Sequence, residues 1–447
     1  MEVFDPRYCA DLGGGFLVKW ADPREAAAYG ALCDVVFRRS GDAPIRENNA
    51  VTVAEWVNQH PNATEHDIAV VVDEADTVVA GAILLRQQMD YAGVQLQVGR
   101  PELVVCHPDF RNRGYIRHIF GLLHAKSHAR GDALQAITGI PYYYRQFGYG
   151  YAIDSEQQCV VHCDQIPAPR PSEISITLRL ADASEYRTFV ALYDADRLGR
   201  GLLCTTPIEH SYFTNLRSGS RSINMFDPVF ICNESDGSVI GYLLVHRGNY
   251  NANIAVLGAG VRAGMSWQRL LTPILHALAS YRERIIIMSP TVTALTGITF
   301  VLDSVHPVYE QLRHGYTYKA ELPTAWYIRV PDFQRLFSAM TPILEARIYH
   351  SSMVGHTGTL AIACYGQGCT LDWHDGRLSA IRNTRPAIMG DGVDTCLPLD
   401  TFLMVIFGRK SFAEIRQWHH EVRATVEAEQ LLGILFPKQP SWFQWLN

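Results

Sequence analysis

The chain has 447 residues, 48% of them hydrophobic and 19% charged, with a net charge of −6. This composition predicts a globular protein of about three domains and excludes a fibrous or disordered chain. The small net charge provides no general attraction to nucleic acid or to an anionic membrane, so we expect neither as a partner. Any anion site must therefore be local.

Targeting signals and metal-site patterns are missing from the sequence. The start, MEVFDPRYCADLGGG, has no basic segment followed by an apolar one, and no apolar run reaches about 18 residues, which predicts a cytoplasmic protein. The ten cysteines include no CxxC pair, and the closest pairs are Cys159/Cys163 and Cys364/Cys369. Because four soft ligands at zinc-site spacing are missing, we expect reduced thiols and no metal.

The first region alternates helices with apolar strands. The sequence predicts strand FLVKWA from Phe16, a helix opened by Asp22-Pro23 that ends near Arg39, and a second helix near 51–59. Three apolar runs of strand length follow, DIAVVV, VVAGAILLRQQ and ELVVC. A helix opened by the segment from His107, strand ALQAIT, a short aromatic helix and strand YAIDSEQQCVV complete the region. We interpret it as an α/β domain with a largely antiparallel sheet.

Two further regions follow a proline-rich segment, Asp164 to Ile174, that is typical of a linker. A similar order of elements then recurs, which we interpret as a diverged second copy of the first domain. A third, α+β region begins near Tyr327 and contains helix DFQRLFSAMTPILEAR, strands TLAIAC and CTLDWHDGRLSAI with a hairpin turn at Asp375-Gly376, and two apolar helices. The predicted boundaries are 1–163, 164–174, 175–326 and 327–447.

The segment HPDFRNRGYIRHIF places arginines and a glycine directly before an apolar helix face. Ile116, Ile119, Phe120 and Leu123 recur at helical spacing, and Gly131 ends the helix. Free amides and the dipole at the helix start suit a phosphate, but the dipole contributes only about 0.3–1 kcal/mol per group. The arginines and close backbone approach at the glycine must add the rest. On spacing alone, a glycine turn with solvated arginines is equally compatible.

Arg111-x-x-Gly114-x-Ile116 resembles the Q/R-x-x-G-x-G/A pyrophosphate loop of the GNAT acetyltransferases, with Ile116 in place of the last small residue. The resemblance implies that loop amides hold the pyrophosphate of acetyl-CoA, and that the preceding strand pairs with its pantetheine arm as with an added strand. The implied donor-binding residues are Val104, Val105, Cys106, Arg111, Asn112, Arg113, Gly114, Tyr115 and Ile116.

A second segment, Tyr144-Arg-Gln-Phe-Gly148-Tyr149, resembles the family's Y-x-x-x-G-F/Y signature. The resemblance implies that the Tyr144 hydroxyl protonates the departing thiolate, a role that suits a phenol with an ordinary pKa near 10. Tyr142 and Tyr143 precede it directly, which leaves the register open by one residue. Ordinary core packing of this aromatic cluster is the structural alternative.

The whole chain resembles the enhanced intracellular survival (Eis) type acetyltransferases, in which two GNAT folds precede a domain resembling sterol carrier protein 2. The second copy reads GVRAGMSWQRLL where the loop belongs, with Arg262 and Gly264 but no R-x-x-G before the helix. The resemblance therefore implies a scaffold that forms one wall of the acceptor pocket.

Three groups are candidates for the base that takes the amine proton. The resemblance implies the C-terminal carboxylate, here that of Asn447, and some GNAT enzymes instead use a glutamate twelve residues before the loop glycine, which matches Glu102. His107 is a third candidate. The family transfers the acyl group directly in a ternary complex, so the resemblance does not imply an acetyl-enzyme on Cys106.

The predicted activity is acetyl transfer from acetyl-CoA to a primary amine of a small molecule or a peptide, without a metal. Related proteins often assemble symmetrically, so the resemblance allows a homo-oligomer. Two alternatives stay open: a lipid- or acyl-CoA-binding protein that uses the carrier-like domain without turnover, and an enzyme whose true donor is a larger acyl-CoA. Asp34 on the first helix is a hypothesis for an acidic acceptor contact.

Overall fold

The computed structural model describes residues 2–38, 48–60, 63–198, 201–206, 213, 226–287, 292–316, 318–321, 324–384 and 392–441. Contacts divide the chain into two compact units. The first unit combines the chain up to Ile153 with Ala325–Ser441, and the second contains Asp154–Thr324.

The N-terminal part of the first unit is a sheet with helices on both faces. Its strands are β1 (Cys9–Gly13), β2 (Phe16–Trp20), β3 (Ile68–Val72), β4 (Val78–Tyr91), β5 (Val94–Cys106), β6 (Leu134–Ile137) and β7 (Gly150–Asp154). Its helices are α1 (Pro23–Val36), α2 (Asn48–Gln59) and α3 (Tyr115–Ala129). Helix α1 begins as the sequence predicts, because Asp22 and Glu25 form a reciprocal capping box.

Strand β3 shows how the sheet is covered, because all five of its residues are buried. On one face Ile68 and Val70 pack in a cluster with Tyr29 of α1. On the other face Val71 packs in a cluster with Ile119 of α3. This continuous apolar strand fixes α3 on the sheet surface, so that its N-terminus lies where β5 ends.

The second unit has its own sheet and helices. The strands of this sheet are β8 (Gln157–His162), β9 (Ile176–Leu180), β11 (Phe226–Asn233), β12 (Val239–His246), β13 (Asn253–Val261), β14 (Gly297–Leu302) and β15 (Tyr318–Glu321). The short strand β10 (Leu203–Thr205) lies outside this sheet. The helices of the second unit are α4 (Tyr186–Leu198), α5 (Trp267–Tyr281) and α6 (Pro307–Gly315).

The C-terminal part of the first unit begins with β16 (Ala325–Arg329), a strand of the first sheet, and then adds a third sheet. The strands of the third sheet are β17 (Gly358–Ala363), β18 (Gly368–His374), β19 (Arg377–Thr384), β20 (Thr395–Cys396) and β21 (Arg423–Ala424). The helices of this part are α7 (Phe333–Tyr349), α8 (Leu399–Ile406), α9 (Phe412–Trp418) and α10 (Val426–Leu435). The order in the third sheet is β19-β18-β17-β20-β21. The predicted hairpin turn is confirmed, since Asp375 and Gly376 have φ of 47° and 74° between paired strands.

The strand order of the first sheet includes β1-β2-β3-β4-β5-β6-β16-β7. Neighbours from β1 to β5 are antiparallel, whereas β5 and β6 are parallel and pair at Val98↔Leu134 and Gly99↔Gln135. On its other side β6 pairs with β16 in antiparallel orientation, with Tyr327 opposite Ile137. Beyond Gly99, β5 therefore diverges from β6, and the sheet splays open.

The second sheet repeats this arrangement in the order β9-β11-β12-β13-β14-β8-β15. Its first four strands are antiparallel and β13 pairs with β14 in parallel, as β5 does with β6. In each sheet, the last strand but one comes from a distant part of the chain. In the first sheet this strand is β16, which lies between β6 and β7. In the second sheet it is β8, which lies between β14 and β15. The single predicted strand YAIDSEQQCVV is thus wrong, because it is two strands in different sheets.

The predicted mixed α/β class with largely antiparallel sheets is confirmed by these topologies. All ten cysteines are free thiols in this structure. Within the described ranges, no helix is both long and apolar enough to cross a lipid bilayer.

Candidate active site

The loop between β5 and α3 has two residues with left-handed backbone. Asn112 has φ of 63°, and Gly114, the residue before α3, has φ of 82°. A Cβ added to Gly114 would meet no atom within 4 Å. The glycine is therefore required by its φ rather than by a steric clash, and the space beside it is open.

The backbone amides of Asn112 to Ile116 have no partner among the described residues. The Arg111 amide donates to the Pro108 carbonyl at 3.3 Å, and the Arg117 amide donates to the Gly114 carbonyl at 2.9 Å. Between them, the five amides of 112–116 donate no hydrogen bond to any described residue. The first turn of α3 also carries no acidic residue. We call this group the loop amides; together with the helix dipole they suit an anion.

Three arginines surround the loop amides, each fixed by a different contact. The Arg111 Nε lies 3.4 Å from the Cys106 carbonyl oxygen, and Arg117 Nη2 donates to Gln146 Oε1 at 2.9 Å. The Arg113 guanidinium lies over the Phe110 ring, 5.1 Å from its centroid. In the described chain no carboxylate lies within 4 Å of these guanidinium groups, so their charge is available to a ligand.

These groups line one cleft of about 660 Å³, which we call the Tyr144 cleft. Tyr144 reaches it from the single-turn 3-10 helix Tyr143–Phe147. Of the predicted donor-binding residues, the cleft is lined by Val104, Cys106, Arg111, Asn112, Arg113, Gly114, Tyr115 and Ile116. The side chain of Val105 points away into the core that contains Tyr29 and Trp56.

The Tyr144 side chain is almost fully buried but faces the cleft. Its hydroxyl has no hydrogen-bond partner among the described residues, and its ring contacts those of Phe120 at 5.9 Å and Tyr327 at 5.5 Å between centroids. Burial, with a smaller contribution from the Glu102 carboxylate, raises the pKa of Tyr144 well above its ordinary value. The phenol therefore stays protonated at neutral pH and can donate.

The two preceding tyrosines differ in position. Tyr142 is 73% exposed and its ring lies beside the Arg145 guanidinium, 5.1 Å from centroid to Cζ. Tyr143 lines the cleft, and burial together with the Cys106 thiol raises its pKa. Tyr144 is the more enclosed of the two cleft tyrosines, and a Cβ added to Gly139 would lie 3.3 Å from its hydroxyl oxygen.

Glu102 lies behind the cleft lining rather than in it. Its carboxylate pairs with the guanidinium of Arg100, which is fully buried and also donates to Gln87 Oε1 at 3.1 Å. The Arg100 guanidinium lies over the Trp326 ring, 5.2 Å from its centroid. Glu102 is nevertheless close enough to Tyr144 to contribute to its raised pKa.

A bulge in β5 separates Glu102 from Val104. Leu103 has φ of 48°, and the β4–β5 register shifts between Gly81 and Ile83. The Leu103 carbonyl accepts the Tyr29 hydroxyl at 2.7 Å. The bulge turns the following residues of β5 toward the open side of the sheet, and no sequence pattern predicted it.

The other predicted acid–base and acceptor groups have structural contacts or lie outside the structure. His107 Nδ1 accepts the Asp109 amide at 3.4 Å and caps a short 3-10 turn. Asp34 is buried and accepts from the amides of Asn49 and Ala50 at 2.8 and 3.0 Å, which fixes the start of α2. Asn447 lies outside the described residues.

Tyr327, on β16, is a site residue that the sequence analysis missed. Its hydroxyl donates to the Ile140 carbonyl at 3.3 Å, and its ring stacks on Tyr151 at 3.9 Å between centroids. The sequence placed this residue at a domain boundary. A strand's neighbours are set by tertiary contacts, so no local signal could have placed it beside Tyr144.

The second unit differs at the corresponding position. Gly264 before α5 has φ of 85°, similar to Gly114. The Ala259 carbonyl on β13, however, is bonded to the buried His306 Nε2 at 2.9 Å, and the Trp267 ring packs against His306 at 5.3 Å between centroids. Side chains thus cover the edge of the strand that is open in the first sheet.

Residues 22–152, from the start of α1 through most of β7, match the acetyltransferase (GNAT) domain family. The chain carries a GNAT acetyltransferase domain. The predicted enzyme class, an acyltransferase, is confirmed by this match. The Tyr144 cleft, the loop amides and the bulge of β5 all belong to the GNAT domain.

Solved structures extend the likeness in fold to the whole chain. A probable N-acyltransferase of unknown function from Enterococcus faecalis aligns with a TM-score of 0.67 at 13% identity, covering 96% of this chain and 98% of that chain. A GCN5-related N-acetyltransferase from Anabaena variabilis gives 0.66 at 13% identity with the same coverage. Eis1 from Mycobacterium abscessus aligns with a TM-score of 0.58 at 12% identity, covering 95% of this chain and 98% of that chain. No curated protein matches the chain.

Proposed function

We propose that the chain is an acetyl-CoA-dependent N-acetyltransferase that modifies a primary amine of a small molecule or a peptide. The observation that carries the proposal is the shared cleft. The unpaired loop amides and the unpaired Tyr144 hydroxyl open onto the same 660 Å³ space. One end of that space suits the diphosphate of a nucleotide, and the other end holds a proton donor.

In the proposed complex the pyrophosphate of acetyl-CoA lies on the amides of 112–116, with Arg111 and Arg117 beside it. The pantetheine arm follows the edge of β5 from Cys106 toward Val104. That edge has diverged from β6 beyond Gly99, so its peptide groups can pair with the arm as with an added strand.

The amine nitrogen attacks the thioester carbonyl, so that a C–N bond forms and the C–S bond breaks. The amine proton passes to a carboxylate or to water, and the Tyr144 hydroxyl gives its proton to the departing thiolate. Glu102 and the Asn447 carboxylate are the proposed carboxylates. Direct transfer leaves no acyl group on the enzyme, and burial raises the pKa of the Cys106 thiol, which makes a thiolate nucleophile unfavourable.

We further propose that the second unit is a degenerate GNAT copy that acts as a scaffold, and that the C-terminal part resembles sterol carrier protein 2. The repeated strand order supports the first proposal, and the His306 and Trp267 side chains over β13 support the loss of its donor site. A cytoplasmic location and a symmetric homo-oligomer complete the proposal.

The alternative, a lipid-binding protein, would use a cavity of about 840 Å³ beside α7. Its lining includes His350 and Asp375, as well as Glu345 and Arg377, which form a salt bridge at 2.6 Å. An acyl chain or sterol requires a mainly apolar lining. The lining also includes Pro342, Ala346, Tyr349 and Val354. The four ionisable side chains of the lining count against an acyl chain and support the transferase.

Thiol release from acetyl-CoA, measured with a panel of primary amines and the purified full-length chain, tests the proposal. We expect amine-dependent release and micromolar-range binding of CoA by calorimetry. Acetyl-, propionyl- and longer acyl-CoA are compared in the same assay to identify the donor. Absence of release with every amine and donor, together with co-purified lipid, would contradict the transferase and support the lipid carrier.

A further inference from the structure

We infer that the acceptor is a monoamine whose amino group is carried on an apolar or aromatic group, and not a polycation. This inference rests on the proposed function, because it concerns the second substrate of the same cleft.

The Tyr144 cleft has an apolar end formed by the last residues of α1 and the residues after β6. Phe37 and Ile140 line it and are 48% and 61% exposed. Val36 lines the same end. Large apolar side chains scattered singly on a surface are ordinary, but here they converge on one cleft beside a proton donor.

Contacts of α1 place its last turn near the bulge of β5. Cys33 Sγ lies 4.0 Å from the Leu103 carbonyl oxygen, and the Phe37 amide donates to the Cys33 carbonyl one turn later. Phe37 lines the same cleft as Val104 and Ile140. Ile140 is adjacent to Gly139, where an added Cβ would lie 3.3 Å from the Tyr144 hydroxyl oxygen. We therefore place the apolar group of the acceptor on Phe37 and Ile140, on the Tyr144 side of the cleft.

The charges of the cleft disfavour a polycation. Of the described residues, those that line it include three arginines and no carboxylate. The nearby acids already have partners, since Glu102 is paired with Arg100 and Asp34 accepts from the amides at the start of α2. Each additional ammonium group of a polyamine or aminoglycoside would lose water without gaining a carboxylate from the described lining.

A monoamine avoids these costs. Its single amino group must be neutral when it attacks, so it needs no permanent counter-ion. Its apolar part can cover Phe37 and Ile140 and remove apolar surface from water. The cleft therefore discriminates by apolar contact, and against a polycation because its described lining offers no carboxylate to a second ammonium group.

The test compares kcat/KM for 2-phenylethylamine, butylamine, spermidine and kanamycin at saturating acetyl-CoA. We expect phenylethylamine to exceed spermidine by about tenfold or more, the scale of discrimination by apolar contacts. Phe37→Ser and Ile140→Ser should each lower kcat/KM for phenylethylamine by about tenfold with little change in the KM for acetyl-CoA. Val305→Ser is the control, because Val305 is 50% exposed and lies in the second unit.

A preference for spermidine or kanamycin would overturn the inference while leaving the transferase intact. Unchanged phenylethylamine turnover in both serine variants would do the same. If the variants impair butyryl-CoA turnover but not amine selectivity, the apolar end holds the acyl group of the donor and the inference is wrong. If no amine releases thiol, the proposed function itself fails, and this inference with it.

Discussion

The Tyr327 ring lies at 69° to the Tyr144 ring, with 5.5 Å between their centroids, although the two residues are 183 positions apart in the sequence. The Tyr327 hydroxyl also holds the Ile140 carbonyl at the apolar end of the cleft. Tyr327 does not face the substrates, so it acts by positioning the ring that carries the proton.

Replacing Tyr327 tests this positioning role. Tyr327→Ala should lower kcat by about tenfold or more with little change in the KM for acetyl-CoA, because a small displacement of the Tyr144 hydroxyl is costly in the transition state. Tyr327→Phe keeps the ring contact and should restore most of kcat. Calorimetric binding of CoA shows that the alanine variant is folded. A folded alanine variant with full kcat would exclude the role.

Tyr144→Phe removes the proposed proton donor but keeps the ring packing. We expect kcat to fall by about 10²-fold, the usual scale for general acid catalysis, with the KM for acetyl-CoA nearly unchanged. Tyr142→Phe is the control, because that side chain is exposed outside the cleft lining. Tyr143→Phe separates the two cleft tyrosines: a loss there, with normal turnover in Tyr144→Phe, would transfer the role to Tyr143.

Gly114→Ala tests the loop amides through their backbone. Alanine at φ of 82° costs roughly 1–2 kcal/mol, although its Cβ meets no atom within 4 Å. The loop should relax and lose its arrangement of amides, so we expect CoA affinity to fall by about tenfold or more, measured by calorimetry. Gly121→Ala in the middle of α3 also meets no atom within 4 Å and should leave CoA affinity unchanged. Equal affinities in the two variants would count against the loop as the diphosphate site.

The proposed bases can be separated by two changes. Glu102→Gln keeps the size of the side chain but removes the charge paired with Arg100, and a chain ending at Ser441 removes the Asn447 carboxylate. We expect both variants to keep CoA binding. The variant that lacks the true base should show a kcat about 10²-fold lower and a pH–rate profile without its acidic limb. Full turnover in both would assign the proton to water.

Acid sensitivity of the fold should depend in part on His124. Burial, with a smaller contribution from the Arg329 charge, lowers the pKa of His124 to about 3, and its Nε2 lies 3.0 Å from the Tyr149 hydroxyl. The pKa of His124 in the folded chain is below its value near 6.5 in the unfolded chain. Between these two pH values, therefore, the unfolded chain binds more protons than the folded chain. The contribution of His124 to the free energy of unfolding is therefore complete above about pH 6.5 and is lost as the pH falls toward 3, on the order of a few kcal/mol at most.

His124→Gln should reduce the difference in unfolding free energy between pH 7 and pH 4, measured by urea denaturation. His118→Gln, an exposed residue of the same helix, is the matched control and should leave that difference unchanged. Identical pH dependence in wild type and His124→Gln would show that the imidazole does not contribute.

The sequence predicted the parts of the site that depend on local chemistry. An apolar strand followed by arginines, a glycine and an amphipathic helix identified the loop at 111–116, because a left-handed residue before a helix leaves amides free. Tyr144 was instead predicted from the resemblance to the family's Y-x-x-x-G-F/Y signature. The left-handed φ of Gly114 is a further reason for glycine at that position, beside the predicted close approach of a ligand.

What the sequence could not predict depends on pairing between distant segments. Strand YAIDSEQQCVV has one continuous β pattern, yet the chain leaves one sheet at Asp154 and joins the other at Gln157. The bulge at Leu103 is likewise set by the Tyr29 hydroxyl of another element. Periodicity reports which face of a strand is apolar, but not which strand lies beside it.

The exchange of β8 and β16 between the two sheets has a consequence for how the chain is made. When the ribosome has just produced β7, the place between β6 and β7 is still vacant, and it is filled only after β16 has been translated. At roughly 5–20 residues per second this delay lasts on the order of ten seconds. The nascent N-terminal segment must remain protected from aggregation for that time, and a gene fragment that stops at the linker encodes an incomplete catalytic sheet.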